Sequence, residues 1–356
     1  MRILLSVILL VITISSCKKE TKEYTPKEDE WIVSAVDISR YPEIMETNPS
    51  FYDFNGTPVD FLSMLKVCGV NTVRLRLWVE PKDGHSGFEE VRQFSQLLKS
   101  MGFDIWLTVH YSDKWADPSQ QTLPKQWQGV SYHDLTDSVY KYTQHLITEL
   151  KPTIIQVGNE INNGFLHPHG HINQPKQFIE LLNTAIDAIR DNSDSTQIML
   201  HYAGIDEAVW FYEQTQSVDY DLIGLSYYPI WHGKDLDELG TTMQKLNVDH
   251  NKKVLIAETA YPFTLGWNDW TNNIVGLEEQ LILPDYPASE SGQRNFVDAI
   301  KYISSDPEYG AGFCYWGAEL IAWKGTEATD GSPWENQALF DFRNQALPVL
   351  NSFKID

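Results

Sequence analysis

Two glutamates stand where a pair of carboxyl groups can do chemistry. Each closes an apolar run, Thr153-Ile-Ile-Gln-Val-Gly-Asn-Glu160 and Lys253-Val-Leu-Ile-Ala-Glu258. Such runs, set between helical stretches, read as strands of a parallel sheet buried on both faces. In a parallel α/β barrel the C-terminal strand ends form the active face. Two carboxyls delivered there suit hydrolysis of a glycosidic bond, with one group giving a proton and the other attacking or activating water. A lone glutamate at a strand end is more often structural. The pair, with Asn159 directly before Glu160, turns that around.

The elements that must carry the pair are legible as an alternation. Strand patterns cover 31–37, 71–78, 104–110, 153–159, 197–202, 221–228, 253–257 and 312–316. Helical patterns lie between them at 59–68, 88–101, 132–150, 177–191, 206–214, 235–246 and 289–304, with a last helical piece near 334–342. Gly69, Gly102 and Pro152 follow the first three helices as stop signals. The fold class is therefore α/β, a single (β/α)8 TIM barrel with its site at the C-terminal strand ends. Glu160 falls on strand four and Glu258 on strand seven, about three units on at roughly 30 or more residues per unit. The long loops 111–131, 160–176 and 259–288 all follow strands, on the face where barrel enzymes build their sites.

Other strand-end residues fit this plan. Arg74 and Arg76 share one face of strand two, and an inward arginine can hydrogen-bond the attacking carboxylate and keep it ionised. The alternative is an ion pair buried in the barrel. Tyr228 shares a face with Ser226 and is placed to orient Glu258, with Tyr227 pointing outward. Trp316 ends strand eight, either as the floor of a sugar subsite or as core.

Bulk properties narrow the ligand. With 42% of 356 residues hydrophobic, the chain can bury one large core, which assigns 31–356 to a single catalytic domain. The net charge of −22 argues against nucleic acid and disfavours polyanionic substrates, leaving a neutral ligand. Residues 1–16, with Arg2 ahead of an apolar run and Ser15-Ser16-Cys17 after it, read as an export signal too short for a membrane span. Small residues before a cysteine resemble a lipobox, making Cys17 the lipidated terminus and 17–30 a flexible tether. The expected location is the cell envelope, at the outer membrane, held by the lipid anchor alone. Cys68 and Cys314 are expected as buried free thiols.

Five segments resemble glycoside hydrolase family 53. They are Val70-Asn-Thr-Val-Arg-Leu-Arg-Leu-Trp-Val-Glu-Pro81, His110-Tyr-Ser-Asp-Lys-Trp-Ala-Asp-Pro-Ser-Gln-Gln-Thr-Leu-Pro-Lys-Gln-Trp127, Gln156-Val-Gly-Asn-Glu-Ile-Asn-Asn-Gly164, Gly224-Leu-Ser-Tyr-Tyr-Pro229 and Ala257-Glu-Thr-Ala-Tyr261. The resemblance implies a retaining endo-β-1,4-galactanase acting on the galactan side chains of pectin. A monomer is expected. It implies Glu160 as acid/base and Glu258 as nucleophile. Asn159, Arg76, His110, Tyr228 and Trp316 would surround the reactive sugar, and Trp115 and Asp117 would help form the glycone-side subsites. Trp115 can equally be an anchor of its loop.

The sequence departs from the family in three places. Where many relatives place a tryptophan after the strand-four motif, this chain has Phe165-Leu-His-Pro-His-Gly-His171. The region after strand seven, Thr264-Leu-Gly-Trp-Asn-Asp-Trp-Thr-Asn-Asn273, is poor in charge for the calcium loop of some relatives. Strand eight ends Trp316-Gly-Ala-Glu319, without an acidic residue directly after the tryptophan. No metal or other cofactor is expected, with calcium kept as the alternative. Two rival functions stay open: a related barrel glycosidase acting on mannan or glucan, and a catalytically dead surface protein that only binds glycan.

Overall fold

A computed structural model describes residues 31–355; the export signal, Cys17 and the tether lie outside the described residues. Eight parallel strands close a barrel: β1 Val33–Asp37, β2 Thr72–Leu77, β3 Asp104–Val109, β4 Ile154–Val157, β5 Gln197–Ala203, β6 Leu222–Ser226, β7 Lys253–Thr259 and β8 Gly310–Trp316. Closure comes from β1, which pairs with both β8 and β2. The outer layer holds α1 Phe61–Val67, α2 Phe88–Ser100, α3 Tyr132–Leu150, α4 Pro175–Arg190, α5 Ala208–Gln214, α6 Leu236–His250 and α7 Glu290–Ser304.

The helices form where the sequence sets their starts and their apolar faces. Asp60, Ser131, Asp235 and Ser289 cap α1, α3, α6 and α7 by accepting backbone N–H bonds. Along α3, Leu135, Val139, Leu146, Ile147 and Leu150 are buried at helical spacing. Each such side chain contributes about 1.5–3 kcal/mol by leaving water, and Leu146→Ala costs about 2–5 kcal/mol.

The expected helix over 334–342 is a correction. Only the single 3-10 turn Glu335–Gln337 forms there, and the barrel's last outer position is filled by the 3-10 segment Pro348–Phe353, packed on α7. The polar side chains of 334–342 are spent on cross-links instead. Glu335 accepts from the amides of Asn268 and Asp269, and Asn336 Nδ2 donates to the carbonyls of Thr264 and Val275. Tertiary bonds of this kind override a local helical preference.

Two irregularities in the ladder decide what faces the barrel interior. Val33, Ala35, Trp106, Ile154, Met199, Leu222, Leu255, Ala257, Ala311 and Cys314 form an apolar cluster separate from the main core, filling the barrel. Strict alternation from Leu255 and Ala257 would turn Glu258 toward the helices. However, Leu225 pairs with Ile256 while Ser226 pairs with Glu258, so β7 carries one extra residue. This bulge resets the phase and brings Glu258 inward. In β8, Gly312 has φ +115°, and a Cβ there would lie 1.9 Å from the Val33 carbonyl oxygen. The break at Gly312 puts Cys314 on the inner face and sends Phe313 outward against Phe353, while Trp316 at the strand end meets Trp115 and Trp334. Cys68 and Cys314 are buried and free.

Candidate active site

Glu160 sits one turn past β4. Gly158 makes the turn at φ +78°, where a Cβ would press on the Ile161 side chain at 2.5 Å. Glu160 itself is held at φ +47°, a left-handed conformation that costs a non-glycine residue about 1–2 kcal/mol. Two bonds hold it there: its N–H donates to His201 Nδ1 (3.3 Å), and its carbonyl accepts from Gln121 Nε2 (3.2 Å). Carboxyl oxygens of Glu160 and Glu258 and a ring nitrogen of His201 lie within 4.8 Å of one another.

Glu258 is almost wholly buried and held from two sides. Arg74 reaches it at 2.8 Å and Tyr228 Oη donates to it at 3.1 Å. Arg74 also binds Asp37 at 2.7 Å, and donates to Asn159 Oδ1 at 2.9 Å and to Gln156 Oε1 at 3.2 Å. Burial raises both glutamates. At Glu160 the charge of Glu258 adds to the rise, to about 8, whereas at Glu258 the Arg74 guanidinium works against it. Burial and the charge of Glu258 thus favour the neutral form of Glu160, while Arg74 favours the ionised form of Glu258.

Of the two arginines on β2, the one aimed at Glu258 is Arg74. Arg76 donates to Ser86 Oγ at 2.7 Å, and its guanidinium lies between the rings of Trp78 (4.2 Å) and Trp115 (4.3 Å). It has no carboxylate within ion-pair distance among the described residues, and burial lowers it to about 10. Arg76 thus braces the aromatic wall, because β2 carries it two residues beyond Arg74, level with the loop that supplies Ser86.

The remaining predicted residues gather at the same mouth. Asn159 Nδ2 donates to the Ala116 carbonyl at 2.9 Å, tying the β4 turn to the β3 loop. His110 Nδ1 accepts from Ala116 N–H at 3.1 Å, so its hydrogen is on Nε2; burial and the two arginines keep the ring neutral. Asp117 spends its carboxylate on its own turn, accepting from Ser119 and Gln120. Tyr227 points outward and donates to the Gly233 carbonyl. Trp115 is half-buried and shares in an aromatic arc. Ring centroids run Trp78–Trp115 5.8 Å, Trp115–Trp316 5.9 Å, Trp316–Trp334 4.6 Å and Trp334–Trp231 6.1 Å. Such an arc presents apolar faces to the apolar faces of sugar rings.

Several of these residues were not singled out in the sequence: Asp37, Gln156, His201, Trp78, Trp231 and Trp334. Three share a readable signal, a single polar side chain within an apolar strand. Gln156 and His201 are wholly buried and Asp37 nearly so, and each is hydrogen-bonded inside the barrel. The tryptophans carried no such signal: Trp78 and Trp334 lie on loops and Trp231 in the single helical turn Pro229–His232.

The cluster of Glu160, His201 and Glu258 does not suit a cation. The Nδ1 lone pair of His201 accepts the Glu160 amide, and Arg74 already supplies the positive charge. The loop after β7 does not suit calcium either. Asp269 accepts from the amides of Thr271 and Ser332, and Glu335 from those of Asn268 and Asp269, so amides occupy the places a cation would take. In the β4 loop, Phe165 is buried against Tyr111 and Phe178 and offers no sugar platform. The rings of His167 and His171 lie 4.7 Å apart, tilted by 31°, and among the described residues they join no cluster of three metal-type ligands. Glu319 is buried beyond β8, with one oxygen accepting from Arg40 N–H and the other unpartnered; burial and then Asp37 raise it to about 8.

Residues 33–353 match the model of glycosyl hydrolase family 53. The chain belongs to that family. An arabinogalactan endo-β-1,4-galactanase of Cellvibrio japonicus is 34% identical over 341 residues, covering 89% of each chain. The family 53 catalytic domain of Ignisphaera aggregans superposes with a TM-score of 0.86 at 37% identity, covering 91% of this chain and 96% of that one. A fungal β-1,4-galactanase gives a TM-score of 0.79 at 28% identity, with 90% and 98% covered. As a family 53 member the chain is a glycosidase on a (β/α)8 barrel, and the match spans all eight strands.

Proposed function

We propose that this protein is a retaining endo-β-1,4-galactanase acting on unbranched stretches of galactan and type I arabinogalactan side chains of pectin. One observation carries the mechanism: carboxyl oxygens of Glu160 and Glu258 approach within 4.8 Å. Retaining enzymes hold their carboxyls roughly 5–5.5 Å apart, whereas inverting ones leave roughly 6.5–9.5 Å for a water. Glu258, ionised beside Arg74, attacks the anomeric carbon; Glu160 gives its proton to the departing oxygen, and a glycosyl ester forms on Glu258. The ester carries no charge, so the repulsion that raised Glu160 is gone and its acidity increases. Glu160 then takes a proton from water, which attacks the anomeric carbon and frees Glu258.

The relatives named as galactanases support the sugar, and the aromatic arc and acidic composition support a neutral chain as ligand. Asn159, His110, Trp115 and Trp316 line the reactive subsite in this reading, Arg76 braces its wall, and Asp117 shapes the adjoining loop. The N-terminal sequence supports export and tethering to the outer membrane through a lipidated Cys17, and a monomeric enzyme is sufficient for the chemistry.

The test uses wild type, Glu160→Ala and Glu258→Ala on unbranched β-1,4-galactan, with product lengths resolved and mannan and β-glucan in parallel. Wild type should release short oligomers from galactan from the outset, and each variant should be inactive. Near-normal activity in either variant removes the catalytic pair, and a preference for mannan or glucan removes the substrate. Galactose as the sole early product removes endo action.

A further inference from the structure

A chain of hydrogen bonds runs from Arg74 to Glu160, and the groups around His201 set its direction. Arg74 Nη2 donates to Gln156 Oε1 at 3.2 Å, which fixes the amide with Nε2 on the far side. Gln156 Nε2 lies 3.0 Å from His201 Nδ1. The backbone N–H of Glu160 also points at that nitrogen, at 3.3 Å. Two donors, the Glu160 amide and Gln156 Nε2, thus face Nδ1 against one acceptor, Asn159 Oδ1 at 3.3 Å, so Nδ1 carries a lone pair and the ring hydrogen is on Nε2. That Nε2–H donates to Ser226 Oγ at 2.9 Å. With its oxygen accepting from His201, the Ser226 hydroxyl sends its own hydrogen to Glu160 Oε1 at 2.7 Å. His201, Gln156 and Ser226 are all wholly buried, so no solvent competes for these bonds.

We propose that Ser226 and His201 are positioning residues that reserve Glu160 Oε1 as an acceptor and so assign the acid proton to Oε2. This rests on Glu160 being the acid/base. A carboxylic acid that rotates its proton between two oxygens presents the reactive one only part of the time; a donor fixed on Oε1 removes that ambiguity. Arg74 then serves both carboxyls, binding Glu258 directly and orienting the chain that ends on Glu160. A positive charge on His201 would put a hydrogen on Nδ1, facing the Glu160 amide; burial and Arg74 hold the ring neutral. The charged and titratable groups around Glu160 are Glu258 from β7, Arg74 from β2, Asp117 from the β3 loop, His201 from β5 and Tyr228 from the end of β6.

The experiment compares wild type, Ser226→Ala and the near-isosteric Ser226→Cys on two substrates. Galactan has a sugar hydroxyl as leaving group and needs the acid. The dinitrophenyl glycoside of galactobiose has a leaving group that departs without a proton, and kcat/KM on it reports only formation of the glycosyl-enzyme. Ser226→Ala should lose roughly 10- to 100-fold in kcat/KM on galactan and about threefold or less on the dinitrophenyl substrate. The Ser226 bond favours the ionised form of Glu160, so its removal should move the alkaline limb of the galactan pH profile upward. Ser226→Cys, a weak donor, should move both readouts in the same direction by less, and carries the test if Ser226→Ala does not fold. Equal losses on both substrates with the alkaline limb in place overturn the proposal, as does wild-type behaviour in both variants. If wild type itself leaves galactan uncut, the functional reading fails instead, and the two outcomes are distinct.

Discussion

Replacing Arg74 by methionine removes the charge on which both carboxyls depend. The guanidinium is buried and binds Asp37 at 2.7 Å and Glu258 at 2.8 Å, with Asn159 and Gln156 completing its donors. Methionine approximates the aliphatic stem but leaves two carboxylates without a cation. Breaking a buried pair from one side costs about 3–5 kcal/mol, since the remaining charge stays desolvated. Urea unfolding followed by tryptophan fluorescence should show a loss of that size at neutral pH. Activity should fall for a separate reason. Arg74 opposes the burial that raises Glu258; without it Glu258 rises further and holds its proton to higher pH. The attacking form must be ionised, so the acid limb of kcat/KM moves up. Losing about 3 kcal/mol of stabilisation of that form corresponds to roughly 100-fold in rate. Arg74→Lys keeps a point charge but cannot span four acceptors, so it should fall between the two. An Arg74→Met protein with the wild-type acid limb would refute the assignment of Arg74 to Glu258, whatever its stability.

Three further outcomes follow from the same geometry. The kcat/KM of wild type on galactan should fall as pH rises through about 8, because the proposed mechanism uses Glu160 in its protonated form; an alkaline limb well below neutrality contradicts the raised acid. Glu319→Gln should be more stable than wild type near pH 8 by about 4 kcal/mol and converge with it toward about pH 4.5. A raised carboxyl contributes stability that is complete below its unfolded value and lost as pH rises to about 8, and thermal melts across this range give the sign directly. Dialysis against EDTA should leave the melting temperature and activity in place, whereas Asp269→Ala should cost about 1–3 kcal/mol by orphaning the Thr271 and Ser332 amides; a large EDTA effect would point to a bound cation.

Much of the enzyme is determined by local pattern. The eight apolar strands and the capped amphipathic helices follow from burial and from backbone hydrogen bonding, both of which act along the chain. Glu160 and Glu258 were legible for the same reason, as charged residues closing runs that only a barrel interior could bury. The tertiary structure decided what depends on register and on contacts between distant segments. Alternation alone turns Glu258 outward, and one extra residue in β7 turns it back. Arg74 and Arg76 are equivalent in a strand pattern; only the partners across the barrel, Glu258 for one and Ser86 with two tryptophans for the other, separate them. The 334–342 stretch has the composition of a helix, yet its side chains are consumed in bracing the β7 loop. Sequence thus determined which residues could do chemistry, because residue type and strand ends are local properties. The closed barrel decided which of them meet, because hydrogen bonds at 3 Å are set by register and not by spacing along the chain.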